Sequence, residues 1–384
     1  MLNKVLAPVS QEDFLRDYWT RKFLHIPGQP DKFSHLFPWD VLNKALEENR
    51  FDAKRLVLYK SGKKIPPDRY LNGTWIDSGK LAGELGNGAT LIFNGCEEVH
   101  RPLRDLCASL ERLFHHRVFV NLYASWRRDH GFNVHWDTQD TMILQVAGRK
   151  RWKVWRPTRP WPFRDDVEDT TLPPTDEPIW DQTLEPGGML SIPRGWWHVA
   201  SPLDEPCLHL TVTTKNLNGI DLLHWLAERM KSSEAARMEL PVVATAQERA
   251  AWLERVRADL LAVWDDALID RYLADADSKA IPRPHISLPA DADPNRTRLR
   301  KTTLLELAVP RDLHFSVHNG SVDCHAKGMS WRMDTDVAEK IRRFNDRRPH
   351  TMDELAPTPN VRVTALVGAL VMQGVLRRVP DAPE

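Results

Sequence analysis

The segment NVHWDTQD, residues 133–140, places a histidine and an aspartate one residue apart. In an extended chain the side chains at positions i and i+2 point to the same side, so His135 and Asp137 can reach one bound ion. A second histidine, His198, follows a Pro-x-Gly turn at the end of an apolar strand in SIPRGWWHVASP. Two imidazoles and one carboxylate make the facial triad that binds Fe(II) and leaves one face of an octahedral metal open. The sequence therefore predicts a metal site formed by these three residues, with iron(II) as the preferred ion.

The His-x-Asp pattern is weak evidence by itself, because the chain contains 15 histidines. The alternative interpretation makes His135 a surface turn residue and Asp137 a cap. Zinc is disfavoured, since a zinc hydrolase with two histidines and one acid usually carries HExxH on a helix, and that motif is absent.

A lysine and two polar strand residues extend the candidate site. Lys150 immediately precedes RWKVW, one strand and one turn beyond His135. A 2-oxoacid bound to the metal needs a cation at its distal carboxylate, and a lysine on a neighbouring strand would supply it. In VFVNLYAS, Asn121 and Tyr123 share one strand face, and the apolar residues take the other. Burying these two polar side chains requires partners, which a bound dicarboxylate would provide.

Short alternating strands separated by Gly, Pro and Asp begin near residue 89 and predict a β-barrel or jelly roll. After Asn218 the pattern becomes helical, with a Thr245/Glu248 capping box and an apolar stripe that packs within the chain or against a second copy. A linker rich in Pro and Asp follows. The last module combines a hairpin around HFSVHNGSVDC with three helical segments and a wing.

Composition excludes several classes of protein. Lys+Arg and Asp+Glu both number 53, so no net charge attracts the chain to nucleic acid or anionic membranes. No apolar run is long enough to span a membrane. The four scattered cysteines, without CxxC spacing, predict reduced thiols and a cytoplasmic location. Two minor alternatives remain open: nucleic-acid binding by the basic runs RTRLRK and EKIRRFNDRR, and a zinc site at His318, Cys324 and His325.

The motifs FLRDYWTRKFLHIPG, NLY, HWD, LQVAGRKRW and IPRGWWH, in this order, resemble the JmjC/cupin-type 2-oxoglutarate oxygenases, most closely the ribosomal oxygenase group. The resemblance implies a fold that is mainly β with α, built on a double-stranded β-helix. It divides the chain into an oxygenase barrel with an N-terminal helical layer (1–218), a helical dimerisation subdomain (219–278), a linker (279–298) and a winged-helix-like domain (299–384).

The same resemblance implies an Fe(II)- and 2-oxoglutarate-dependent oxygenase that uses O2 and hydroxylates a side chain of a protein or peptide, ribosomal proteins among the candidates. His135, Asp137 and His198 would be the catalytic iron ligands. Lys150, helped by Tyr123 and Asn121, would bind the distal carboxylate of 2-oxoglutarate. One departure is Val134, where many relatives have proline. The implied partners are the protein substrate and a second copy of the chain, with neither membrane nor nucleic acid.

Two other functions stay open at this point. One is a tailoring hydroxylase that acts on a small molecule or a peptide natural product. The other is a noncatalytic binding module in which the cupin barrel is only a scaffold for the winged-helix-like end.

Overall fold

The computed structural model describes residues 2–129, 131–163, 165, 166, 173–284, 286, 288, 292, 299–358 and 360–379. The chain forms two compact units, Met1–Asn216 and Leu217–Glu384. Within the described residues, no helix has both the length and the apolar composition that crossing a membrane requires. Each unit has its own hydrophobic core.

Among its described residues, the first unit combines five α-helices with thirteen strands. The helices are α1 (Leu2–Leu6), α2 (Gln11–Asp13), α3 (Trp39–Glu48), α4 (Ser78–Gly86) and α5 (Arg101–Phe114). The strands are β1 (Leu24–Ile26), β2 (Leu56–Lys60), β3 (Lys63–Lys64), β4 (Leu71–Asn72), β5 (Trp75–Ile76), β6 (Thr90–Phe93), β7 (Val118–Ser125), β8 (Asp140–Ala147), β9 (Lys150–Trp155), β10 (Trp180–Leu184), β11 (Met189–Ile192), β12 (Trp197–Pro202) and β13 (Cys207–Thr214).

Two sheets form the predicted jelly roll. The larger has the order β1-β11-β8-β13-β7-β6-β2-β3, and the smaller has the order β10-β9-β12. A tight turn at Gly148 passes the chain from β8 in the larger sheet to β9 in the smaller one. Gly148 has φ +60°, and a Cβ there would lie 2.1 Å from the carbonyl oxygen of Pro206, so the turn requires glycine. The double-stranded β-helix predicted for this region is confirmed.

Strand β7 shows why the barrel closes around a polar interior. Val118, Val120, Leu122 and Ala124 are fully buried in the main core, where α5 also contributes its apolar face. The alternate residues face the opposite side of the sheet, as the strand period of two requires. The polar face of β7 is therefore available to line the barrel.

The second unit begins with helices and ends with small sheets. The helices are α6 (Gly219–Arg229), α7 (Glu234–Arg237), α8 (Ala246–Ala262), α9 (Leu268–Ser278), α10 (Thr335–Arg342), α11 (Met352–Leu355) and α12 (Val361–Met372). The strands are β14 (Leu304–Leu307), β15 (His314–His318), β16 (Ser321–Ala326), β17 (Met329–Met333), β18 (His350–Thr351) and β19 (Leu376–Arg378). Strand orders are β18-β14-β19 and β15-β16-β17.

The helical part of this unit leaves apolar side chains uncovered. The Thr245/Glu248 capping box forms as predicted at the start of α8, yet no residue of α8 is buried. Of the predicted stripes, Leu226 is buried, whereas Leu223 is 48% and Leu253 is 60% exposed. The single chain therefore does not cover the whole stripe.

The last module has the predicted hairpin and helices, while its assignment as a winged helix stays a prediction. In EKIRRFNDRR, two of the five basic side chains have an acidic partner, since Arg342 pairs with Glu339 and Arg347 pairs with Asp312. Much of the predicted linker and half of RTRLRK lie outside the described residues.

The zinc alternative in this module is wrong for the residues described. Cys324 is fully buried in the apolar core, and His325 hydrogen-bonds to Ser316 and Ser330. Cys324 and His325 are consecutive in a strand, so their side chains take opposite faces. No metal-binding cluster of His, Cys, Asp and Glu is found there in the part of the chain that the structure describes.

Candidate metal centre

A short backbone bridge brings the two predicted ligand segments together. The amide of His135 donates to the carbonyl of His198 at 3.1 Å, and the amide of His198 donates to the carbonyl of His135 at 2.7 Å. The amide of Gly195 donates to the carbonyl of Asp137 at 2.8 Å, and its φ of +83° shapes the turn before His198. Residues 135–137 are thus locally extended, with Trp136 buried on the opposite side from its neighbours.

The three predicted ligands face one another. Nε2 of His198 lies 3.6 Å from Oδ2 of Asp137, and the two imidazole centroids are 4.4 Å apart. One ligand atom from each of His135, Asp137 and His198 lies within 4.8 Å of the others, the only such cluster among the described residues. The arrangement suits a single ion held by two nitrogens and one oxygen.

Hydrogen bonds orient both imidazoles. Nδ1 of His135 donates to the carbonyl of Asn133 at 2.8 Å, and Nδ1 of His198 donates to the carbonyl of Trp196 at 3.0 Å. Because a carbonyl only accepts, the proton is on Nδ1 and the Nε2 lone pair is free to bind a metal. Burial is the main cause that lowers the pKa of His198 to about 4, and the nearby His135 is the second. The charge of Asp137 acts in the opposite direction. His198 is therefore neutral at pH 7, as a metal ligand must be.

Behind the triad lies a cavity with Lys150 at its polar end. The cavity encloses about 730 Å³, part of it open to solvent, and is lined by His135, Asp137, His198, Lys150, Tyr123, Thr90, Phe132, Trp152, His209 and Thr211 among others. Nζ of Lys150 donates to Oγ of Ser125 at 3.3 Å, and Ser125 shares a hydrogen bond of 3.0 Å with Thr90. The lysine is 3% exposed.

The charge of Lys150 is uncompensated. Burial lowers the pKa of its ammonium group. Throughout the described residues, no carboxylate lies within 4.0 Å of its nitrogen. Because a buried cation without a counter-ion is costly, a ligand carboxylate is the partner that this site lacks.

Tyr123 and Asn121 have different surroundings. Tyr123 lines the cavity, and burial followed by the charge of Asp137 raises the pKa of its phenol, which stays protonated and able to donate. Asn121 does not line the cavity. Its Oδ1 accepts from the amide of Gly95 at 3.2 Å, and its side chain hydrogen-bonds to Tyr123. The structure therefore places Asn121 beside Tyr123 but outside the lining of the cavity.

Sequence reasoning missed several residues of the site. Ser125 was detectable, because it lies two positions beyond Tyr123 on the same strand face. Thr90, Phe132 and Trp152 carry no such signal. Near the site, Trp196 packs into a small apolar core, and Arg127 pairs with Asp204.

Comparison with known proteins gives a consistent result. Residues 98–222 match the JmjC domain family. The chain is 29% identical over 226 residues to the bifunctional lysine-specific demethylase and histidyl-hydroxylase NO66 of Drosophila pseudoobscura pseudoobscura, covering 55% of this chain and 22% of that protein. The NO66 protein of Dictyostelium discoideum is 29% identical over 230 residues, covering 56% and 42%. This chain thus spans less than half the length of these two relatives.

Solved structures of the Escherichia coli ribosomal oxygenase YcfD share the fold. One aligns with a TM-score of 0.60 at 17% identity and covers 97% of this chain and 98% of that one. Another, at a TM-score of 0.59 and 18% identity, covers 97% and 99% and contains cobalt and 2-oxoglutarate. Residues 98–222 are thus similar to the JmjC domain family, and the chain shares its fold with these YcfD structures.

Proposed function

We propose that this protein is an Fe(II)- and 2-oxoglutarate-dependent hydroxylase that uses O2 to oxidise a side chain of a protein. The observation that carries the proposal is that the His-Asp-His cluster and a buried lysine, which has no carboxylate partner among the described residues, line one cavity. A structural metal site would not need the lysine. A scaffold barrel would need neither feature.

The residues fit the groups that this chemistry requires. Iron and 2-oxoglutarate supply the oxidation when bound, with O2 and the cosubstrate consumed and succinate and carbon dioxide released. His135, Asp137 and His198 would hold the metal, which would supply the oxidising chemistry next to the cavity. Lys150 and the Tyr123 hydroxyl bind the distal carboxylate, and Asn121 positions Tyr123. Phe132 lies 5.5 Å from the ring of His135 and helps exclude water.

A protein side chain is the favoured substrate. The matched relatives are named as a histidyl-hydroxylase and a ribosomal oxygenase. A ribosomal protein is accordingly the first candidate. Incubating the Fe(II)-loaded enzyme with ribosomal proteins and 2-oxoglutarate should add one oxygen to one residue, detected by peptide mass spectrometry. Oxidation of a small metabolite in place of any protein would favour the tailoring enzyme.

Alanine substitutions test the metal ligands. We expect His135→Ala and Asp137→Ala to abolish succinate formation and to reduce metal binding, because two ligands cannot hold the ion in place. Gln139→Ala is the matched control, since Gln139 is exposed in the same loop. Succinate production by the two ligand variants at the rate of the control would refute the assignment.

A second copy of the chain is proposed to cover the apolar stripe of the helical subdomain. The proposal includes the division of the chain into residues 1–218, 219–278, 279–298 and 299–384. Residues 219–278 form the interface of the homodimer. Supporting it, Ile220 and Leu223 lie three residues apart on α6 and are both about half exposed.

A cytoplasmic location is also proposed. All four cysteines are buried, and none of them forms a disulfide bond. Cysteines that remain reduced suit a reducing compartment.

A further inference from the structure

Two buried nitrogen atoms in the cavity have no hydrogen-bond partner among the described residues. They are Nδ1 of His209 and Nε1 of Trp152, and both side chains line the cavity that holds Lys150. Buried polar atoms in folded proteins are nearly always paired, so an orphan inside a binding cavity indicates a missing ligand atom. An indole N–H can only donate, so the missing group is an acceptor.

The fold holds the ring of His209 in a defined orientation. His209 in β13 is the direct cross-strand neighbour of Tyr123 in β7, and the two rings stack at 4.9 Å with an interplanar angle of 2°. The indole of Trp152 meets the imidazole edge-on at 5.5 Å. The pairing of β13 with β8 shifts register between Leu208 and His209, and a bulge of this kind redirects a side chain.

The charge state of His209 limits what it can bind. Burial, and secondly the nearby Lys150 ammonium, lowers the pKa of His209 well below its usual value. The imidazole is therefore neutral, with one N–H donor and one acceptor. A carboxylate in front of Lys150 accepts from the lysine and from a neighbouring N–H at once, and it satisfies both groups without a second buried cation.

We propose that His209 is a cosubstrate-binding residue that donates its Nδ1–H to the distal carboxylate of the 2-oxoacid and, with Lys150, selects a dicarboxylic cosubstrate. This inference rests on the proposed function, because it assumes that a 2-oxoacid occupies the cavity.

Three substitutions distinguish the effect of losing the Nδ1 donor from the effect of losing the aromatic ring. His209→Phe keeps the stack on Tyr123 and removes both nitrogens. His209→Asn places an amide near the position of Nδ1, whereas His209→Gln extends the amide towards the position of Nε2. Binding is measured by isothermal titration calorimetry on the Mn(II)-loaded full chain, which needs no turnover. The two probes are 2-oxoglutarate and 2-oxopentanoate, in which a methyl group replaces the distal carboxylate.

The expected pattern is specific to the Nδ1 donor. H209F and H209Q should bind 2-oxoglutarate roughly 10-fold more weakly than the unsubstituted protein, since a hydrogen bond to a charged group is lost. H209N should stay close to the unsubstituted protein. All three should bind 2-oxopentanoate and Mn(II) with unchanged affinity.

Two results would overturn the inference. Unchanged 2-oxoglutarate affinity in both H209F and H209Q would show that Nδ1 does not contact the ligand, and equal weakening for both acids would show that His209 only shapes the cavity. If H209F does not fold, the measurement on H209Q still tests the inference. Failure of the unsubstituted protein to bind Mn(II) and 2-oxoglutarate would instead contradict the proposed function.

Discussion

At the scale of single residues, Lys150 shows how a costly burial identifies a ligand site. Its ammonium group is almost completely removed from solvent, and its hydrogen bond to the Ser125 hydroxyl does not neutralise the charge. Retaining such a group lowers stability in the empty protein. In the proposed function, a bound carboxylate would offset that cost, so the same feature would provide affinity and selectivity.

Replacing Lys150 with alanine should weaken 2-oxoglutarate binding roughly 10- to 100-fold, by removing the charged donor for the distal carboxylate. Metal affinity should not change. The matched control is Lys153→Ala, because Lys153 lies on the same strand and is 3.5 Å from Asp181 on the exposed face. Equal apparent KM values for 2-oxoglutarate in the two variants would mean that another cation holds the cosubstrate.

At the scale of secondary-structure elements, Asp140 links three segments around the triad. It begins β8, accepts a hydrogen bond from the amide of Arg194 in the turn before β12, and accepts another from the side chain of Asn216 after β13. Burial raises the pKa of this carboxyl to about 6 from 3.8, despite the hydrogen bond and charge of Arg194. The ionised carboxylate is therefore a source of instability at neutral pH.

The pH dependence of stability follows from this shift. The folded protein favours the protonated carboxyl. The contribution of Asp140 to the free energy of unfolding is therefore complete below pH 3.8 and is lost as the pH rises through 6. Asp140→Asn removes this titration, and the variant should gain up to about 3 kcal/mol relative to the unsubstituted protein between pH 4 and pH 7.5. Urea unfolding of metal-free protein at several pH values measures the difference.

Asp181→Asn is a control, because the pH dependence of stability that Asp181 contributes has the opposite sign. The hydrogen bond from Arg151 lowers the pKa of Asp181. Its stabilising contribution is therefore present above pH 3.8 and is lost as the pH falls below that value. Parallel stability curves for D140N and the unsubstituted protein would contradict the role assigned to the buried carboxyl.

At the scale of the whole molecule, the helical subdomain leaves several apolar side chains exposed among the described residues. Leu253 and Leu261 on α8 are 60% and 55% exposed, and Trp264 just beyond the helix is 50% exposed. Apolar side chains grouped on one element in this way are characteristic of an interface. A second copy of the chain is the partner that the proposed division of the molecule implies.

Leu253→Glu combined with Leu261→Glu should convert a dimer into a monomer, because each places a charge in the proposed interface. Analytical ultracentrifugation at micromolar concentration measures the change. Val317→Glu is the control, since Val317 is 71% exposed on β15, outside the helical subdomain. A monomeric unsubstituted chain, or a dimer that survives the double substitution, would remove the homodimer from the proposal.

The sequence alone predicted the barrel, and it selected His135, Asp137, His198 and Lys150, which the structure brings to one cavity. These depend on residue type and on strand periodicity, which are local properties of the chain. Strand β7 is the clearest case, because its alternation correctly separated the core face from the face that carries Tyr123.

Only the tertiary structure decided which polar side chains reach the ligand. Asn121 and Tyr123 share one strand face. However, the Asn121 side chain accepts a hydrogen bond from the amide of Gly95, whereas Tyr123 lines the cavity. His209 enters the cavity through a register shift between β13 and β8, and the bridge between His135 and His198 joins segments about sixty residues apart. The physical reason is that the direction of a side chain within its face depends on neighbours from distant strands, which no local pattern encodes.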